Sequence, residues 1–435
     1  MKQVVGPMTR LDKVYVGGVL LIFGLIVLHA PISVYVGSHF GHVLLVKAWK
    51  EILMGALLVL AAIIVTLRGM WRPFLRDPVI WLSAGLAVLY AVSMEYGQGF
   101  KPYAAGLLID VRYILYLVLV YVAVRLFPVV RRPFLYVGLA GAVIVTGFGL
   151  LQFVLPKDFL SVLGYGPKTI TPYTTIDSYA GLVRLQSTLR GPNPLGAYGV
   201  IVALIGAAAA IRLKLSRRLR VAMWVLVAAA LVIVYASYSR GAYLGVAIGA
   251  VVVAGVLIGR RGIRSKTVIV AGGIGLVIVI GGLVALRTTT FYSSVFNHEV
   301  AGSGPSINSN AGHSASLTQA SQAVAERPLG YGTGSTGSAS LLSGSGDIVE
   351  NQYLYVAHEA GLAALLVFIA LYALLLERAY RQRPDPIALG VLASGIGLFV
   401  IGLVLPVFAD DTVSIIWFGL AGLIAGGRHE EPVTE

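Results

Sequence analysis

The sequence predicts an all-α polytopic membrane protein with about 12 transmembrane helices and a long outer-face loop between spans 9 and 10. Three observations carry this. Of the 435 residues, 57% are hydrophobic and 12% charged, about half the charge of a soluble domain. Mean hydropathy is +0.86, and the apolar residues gather into runs of roughly 18 or more, long enough to cross a bilayer as helices. Positive charge also alternates from loop to loop.

In order, the predicted spans are 14–36, 46–67, 78–95, 104–126, 134–155, 194–211, 220–237, 241–259, 267–286, 352–376, 386–407 and 412–427. Lys2, Arg10 and Lys13 precede the first run, which is too long for a signal-peptide core and reads as an uncleaved span. With the N-terminus inside, the inner loops carry Arg68, Arg72, Arg76; Arg125, Arg131, Arg132; Arg212, Lys214, Arg217, Arg218, Arg220; Arg260, Arg261, Arg264, Lys266; and Arg378, Arg381, Arg383. With the termini, this side takes 22 of the 33 Lys and Arg residues. The positive-inside rule then places both termini in the cytoplasm.

Residues 1–435 read as one integral membrane domain. Its polar mass falls on the outer side, in loops 156–193 and 287–351 and in the short turn 237–241. Within the second loop, residues 314–326 have helical character that Pro328 stops. This distribution predicts work at the outer membrane surface, on something already exported.

Composition also excludes classes of function. The chain has no Cys, so disulfides, thiolate chemistry and Cys-ligated metals are out. The net charge of +14 lies mostly in short loops between spans and does not point to nucleic acid. There is no His cluster, no Ser-His-Asp spacing and no dinucleotide fingerprint, so neither a metal nor a cofactor is expected. Asp410 and Asp411 could bind a metal, but helix capping explains them more simply.

Cations that oppose the charge bias are informative. They are Lys157, Lys168, Arg184, Arg190, Arg240, Arg287 and Arg327, with Lys47, Lys50, Lys101 and Arg112 in or near outer span ends. Such charges either snorkel to the interface or face a partner, a cavity or a substrate. Arg112 stands two residues from Asp110, off its helix face, which disfavours a simple internal pair.

Three motifs can carry chemistry. In RLQSTLRGPNPLGAYG, residues 184–199, Arg184 and Arg190 precede a span start with Asn193 as cap and Pro194 in the first turn. Arginines at a helix N-terminus make an anion site, or equally a loop junction with stray charge. In YASYSRGAYLG, Arg240 is held at the membrane boundary, where it can grip a diphosphate bidentately. Tyr238 and Tyr243 beside it also fit an aromatic belt. The third motif is the long outer loop, with His313 and the turn GYGTGSTGS, and the span after it. Glu350 stands just outside that span, either as a proton acceptor or as a helix-start acid. His358 lies two turns deeper, as a buried base or a packing residue.

In this order and on these loops, the motifs resemble the O-antigen ligase and O-antigen polymerase superfamily. The resemblance is carried by Arg184 before Pro192-Asn193, by Ser239-Arg240-Gly241, by Pro328-Leu329-Gly330-Tyr331-Gly332, and by Glu350-Asn351 followed after nine residues by Gly361. It spans roughly residues 140–375. Lipopolysaccharide ligases usually have His where this chain has Glu350, and often Arg where it has His313.

The resemblance implies a GT-C-like glycosyltransferase architecture in the cytoplasmic (inner) membrane, with the active site on its outer face. It implies a metal-independent, inverting transfer of a glycan from undecaprenyl diphosphate to an acceptor sugar hydroxyl, in surface polysaccharide assembly. Partners would be the polyprenyl-diphosphate-linked donor, a glycan or glycolipid acceptor and membrane lipid. Arg184 and Arg240 would stabilise the diphosphate, with Glu350, or His358 instead, as base. Arg190, Asn193, His313, Arg112, Asn351 and His358 would contact substrate. Two alternatives stay open: a polymerase rather than a ligase, and a transporter or flippase for lipid-linked oligosaccharides.

Overall fold

The computed structural model describes residues 8–41, 43–93, 99–176, 179–259, 309–344 and 348–427. The predicted span 267–286, Arg287 and the first part of the long loop lie outside the described residues. What is described is mostly helical. By length and composition, eight helical segments are apolar enough to cross a membrane, and three shorter apolar helices accompany them. Together they fall on every expected span except 267–286.

Helices α1 (Arg10–Leu25) and α2 (His29–Phe40) join through a 3-10 turn into one segment of 31 residues. After the short α3 (Val43–Lys47) come α4 (Trp49–Leu67), the short α5 (Trp71–Leu75), α6 (Pro78–Val92), α7 (Phe100–Leu126) and α8 (Arg131–Leu151). A two-stranded antiparallel hairpin, β1 (Thr174–Ile176) and β2 (Tyr179–Arg184), sits in the first long loop. It is a small departure from the all-α expectation. Then follow α9 (Pro192–Arg212), α10 (Arg217–Ala236), α11 (Arg240–Gly259), α12 (Ser309–Glu326), α13 (Gly337–Ser340), α14 (Gln352–Arg381), α15 (Pro386–Gly402) and α16 (Asp411–Gly426).

Helices α7, α9, α15 and α16 form the middle of the bundle and are buried on nearly every side. The other long helices bury one face and leave Leu, Val and Ile exposed on the other, as lipid-facing helices do. Small residues let the central helices approach closely. Gly199 of α9 packs against Val234 and the Ala230 carbonyl of α10, and Gly245 of α11 meets Gly397 of α15.

The two ends of the bundle differ. At the cation-rich end, helix starts and helix ends are tied by ions. Asp77 caps α6 through the Val79 N–H (3.0 Å), takes the Arg378 guanidinium at 2.6 Å and accepts the Tyr121 O–H at 2.6 Å. Asp385 caps α15 and pairs with Arg131. Asp12 closes a capping box with Thr9 and takes Arg68 at 2.6 Å. In each case one carboxylate satisfies orphan helix N–H groups and neutralises an arginine.

At the opposite, loop-bearing end, α14 is interrupted. Gly361 has φ +82° inside the helix. The backbone groups freed there are taken by the turn Pro328–Gly332: Tyr331 N–H donates to His358 O (2.6 Å), Gly332 N–H to Glu359 O (3.0 Å), and Leu362 N–H to Pro328 O (2.8 Å). The two backbones touch, so a Cβ on Gly361 would lie 2.7 Å from Leu329 O. Gly361→Ala is therefore expected to cost at least about 2 kcal/mol, from backbone strain and overlap together. Gly344→Ala also has a positive φ, +82°, but opens onto empty space. Thermal unfolding of the two purified variants checks this: an equal loss of stability would show that the close approach contributes nothing.

Candidate active site

The site is built where the first long loop meets the joint between α10 and α11. Helix α10 ends at Ala236 with its last carbonyls unpaired by the helix. The strand end of the hairpin supplies the donors: Leu185 N–H reaches Ala236 O (3.0 Å) and Arg184 Nε reaches Ser237 O (2.9 Å). A cation suits a helix C-terminus, where the macrodipole is negative. Arg184 Nη2 then donates to Asn193 Oδ1 at 2.7 Å. Arg184 is thus fixed between three elements, half out of water and beside Arg240. Burial lowers its guanidinium to about 10, with Tyr243 opposing and Arg240 adding to the shift. It remains charged at neutral pH.

Asn193 does not cap its helix as expected. Gly191 occupies the cap position, Pro192 is the first helical residue, and the Asn193 side chain serves Arg184 instead. Arg240 begins α11 as its first residue, rather than lying in a turn before it. Two non-glycine residues have positive φ among the described residues, Ser187 (+52°) and Tyr238 (+50°). Both stand within three residues of a site arginine, Arg184 or Arg190 for Ser187 and Arg240 for Tyr238. Ser187 is held there by Gln152 Oε1 and Val145 O, each at 2.7 Å. Such backbone strain gathers at functional sites.

Arg190 points to the other half of the site. Its Nη2 donates to Ser338 Oγ at 3.1 Å, on the turn that follows the glycines. The same turn reaches the start of α14 through Val349 N–H and Thr336 Oγ1 at 3.1 Å. Arg190 and Glu350 are therefore attached to one turn, while Arg184, Asn193 and Arg240 form a group at the α10–α11 joint. The segment 190–193 links the two. Glu350 is partly exposed, directly before the Asn351 cap. Asn351 is engaged as a cap: its Oδ1 accepts from Tyr353 and Leu354 N–H at 2.9 Å, and its Nδ2 donates to Leu403 O at 2.9 Å.

His358 is buried. Its ring stacks on Tyr331 (centroids 4.6 Å apart) and its Nδ1 lies 3.2 Å from Ser335 Oγ. The Arg327 guanidinium lies 4.7 Å from the centre of the same Tyr331 ring. His313 falls in α12, and its side chain lies outside the described residues.

Arg112 is buried in a charged network that sequence reasoning only partly anticipated. Its Nη2 donates to Ala409 O (2.5 Å) and its Nη1 lies 3.9 Å from Glu51 Oε1. Lys50 bridges Glu51 and Asp411, each at 3.2 Å, and His29 reaches Asp411 at 3.1 Å. Asp410 caps α16 through Val413 N–H (3.0 Å), as the capping alternative holds. Among the described residues, no group of three or more His, Cys, Asp or Glu side chains is arranged to hold a metal ion. Glu359 and Asp110 were passed over as site residues, although an acid within a span is itself a functional signal.

Residues 225–369 match the family described as O-antigen ligase. That segment is similar to the O-antigen ligase family. No curated protein matches the chain. The O-antigen ligase segment takes in Arg240, His313, Glu350, Asn351, His358 and the interrupted part of α14, and supports the superfamily recognised from the motifs. Arg112, Arg184, Arg190 and Asn193 lie N-terminal to it.

Proposed function

We propose that the protein transfers a glycan from a polyprenyl diphosphate, undecaprenyl diphosphate in the simplest case, to a sugar hydroxyl of a glycan or glycolipid acceptor. The observation that supports this most is Arg184, held at a helix joint beside a long polar loop, with Arg240 near it at the start of α11. Arg184 uses Nε and Nη2 on protein partners. Its Nη1 edge and Arg240 are what this reading assigns to the diphosphate.

In the reaction, the acceptor oxygen attacks the anomeric carbon from the face opposite the diphosphate. The bond from that carbon to the diphosphate oxygen breaks, and the leaving group departs with its negative charge, which the arginines stabilise. Glu350 takes the hydroxyl proton. Single displacement inverts the anomeric centre. We place the loop-bearing end on the outer face of the cytoplasmic membrane, with both termini inside, because the cation-rich loops gather at the other end.

The test is transfer by the purified, reconstituted chain, using the lipid-linked glycan fraction of the source cells as donor. Transfer with inversion, unchanged in chelator, is expected. Activity that disappears in chelator and returns with magnesium or manganese would overturn metal independence and bring Asp410 and Asp411 forward. In cells lacking the protein, single capped repeats on the lipid would mark a lost polymerase, and long unattached polymers a lost ligase. Lipid-linked glycan trapped on the cytoplasmic leaflet would instead mark a flippase and refute the reading.

A further inference from the structure

Glu359 is fully buried in α14, two residues before the interruption at Gly361. Its Oε1 accepts two backbone hydrogen bonds from the glycine-rich turn, from Gly334 N–H (3.1 Å) and Thr336 N–H (3.3 Å). The turn is pinned on its far side by Thr333, whose N–H and Oγ1 bond Ser93 O (3.2 Å) and Tyr90 O (2.6 Å). From this turn Ser338 holds Arg190, and Thr336 Oγ1 holds Val349, next to Glu350.

The other oxygen, Glu359 Oε2, is buried and has no donor. The same is true of Asp110 Oδ2 on α7. The two carboxyl groups are close neighbours in the core. Two acceptors facing each other without a donor would each go unsatisfied, at a cost a buried site does not tolerate. One shared proton satisfies both. Asp110 is the partner suited to hold the charge, since Arg112 and the Tyr355 hydroxyl lie near it. The other titratable groups around the pair are Tyr90, Tyr113 and, beside Glu359 in the chain, His358.

We propose that Glu359 is a positioning residue for transfer, held as the neutral acid of a one-proton pair with Asp110, and that it fixes the glycine-rich turn in the arrangement that places Arg190 and Glu350. The neutral acid is matched by glutamine. Gln Oε1 can accept the two turn N–H groups, and its Nε2 can donate to Asp110 in place of the acid O–H.

The effect on turnover depends on the transfer reaction proposed above; the effect on the turn does not, so two measurements are paired. The chain has no Cys, and Ala339, buried within the turn, is replaced in an Ala339→Cys background for maleimide labelling. Glu359→Ala is expected to speed labelling by at least about tenfold and to lower kcat by about 10–100-fold with little change in donor KM, since misplacement rather than binding is affected. Glu359→Gln is expected to keep labelling slow and kcat within about threefold of the parent. Glu359→Gln as open and as inactive as Glu359→Ala would show that the charged carboxylate is needed and overturn the shared proton. Glu359→Ala with labelling as slow as the parent's and full kcat would overturn the positioning role. The expected labelling pattern without transfer by any form, the parent included, would leave the turn assignment standing and sink the glycosyltransferase reading.

Discussion

Arg240→Ala is expected to reduce transfer by about 10²–10³-fold while the protein stays folded, the loss that follows removal of one preorganised donor to developing negative charge. Arg240 is the first residue of α11, so its backbone is fixed by the helix and by the Tyr238 turn before it. Its neighbour Arg184 is held by Ser237 and Asn193 and does not move to replace it. Arg240→Lys should fail nearly as badly, because a point charge does not reproduce a planar fork. The check is kcat/KM on lipid-linked donor with purified variants of matched thermal stability. Near-normal turnover by Arg240→Ala would remove it from the site.

Glu350→Gln carries the second large effect: a loss of about 10²–10⁴-fold in kcat, the range for a general base, with donor binding retained. Glu350 is partly exposed at the start of α14, where a sugar hydroxyl can arrive. His358 lies roughly 12 Å deeper, at about 1.5 Å per residue, and is stacked beneath Tyr331. Glu350→His matches the residue that lipopolysaccharide ligases usually carry there, and is expected to keep part of the activity. Donor binding and single-turnover transfer, measured on Glu350→Gln and His358→Ala side by side, decide the base. Normal transfer by the first and none by the second would move the catalytic group to the deeper position.

Much of the architecture was legible because a bilayer demands long apolar runs and because cations fall on one set of loops. Arg184 and Arg240 stood out in the sequence for the converse reason, as cations in loops expected on the outer side. The break in α14 was not. Residues 352–376 read as one apolar run, and the groups that satisfy the break come from Pro328–Gly332, well upstream. The Asn193 cap was misjudged because a cap rule sees only its own helix, whereas Arg184 reaches Asn193 from the preceding hairpin. Glu51 and His29 escaped notice for a similar reason. His29 is a single polar residue in an apolar run and Glu51 reads as the neighbour of Lys50, and only packing brings His29 and Lys50 to Asp411 and Glu51 to Arg112.

The interruption at Gly361 has a consequence for the order in which the chain is made. A helix that breaks within a membrane exposes carbonyls and an N–H to hydrocarbon, at several kcal/mol for each group left unsatisfied. Here the groups that answer His358 O, Glu359 O and Leu362 N–H belong to residues 328–332, which leave the ribosome before α14 does. The receptor for the break is synthesised first. A nascent α14 can therefore settle against a turn that is already present, and moving that turn to a position after the helix, by circular permutation, would make the same contacts available only once the broken span had been stranded in lipid.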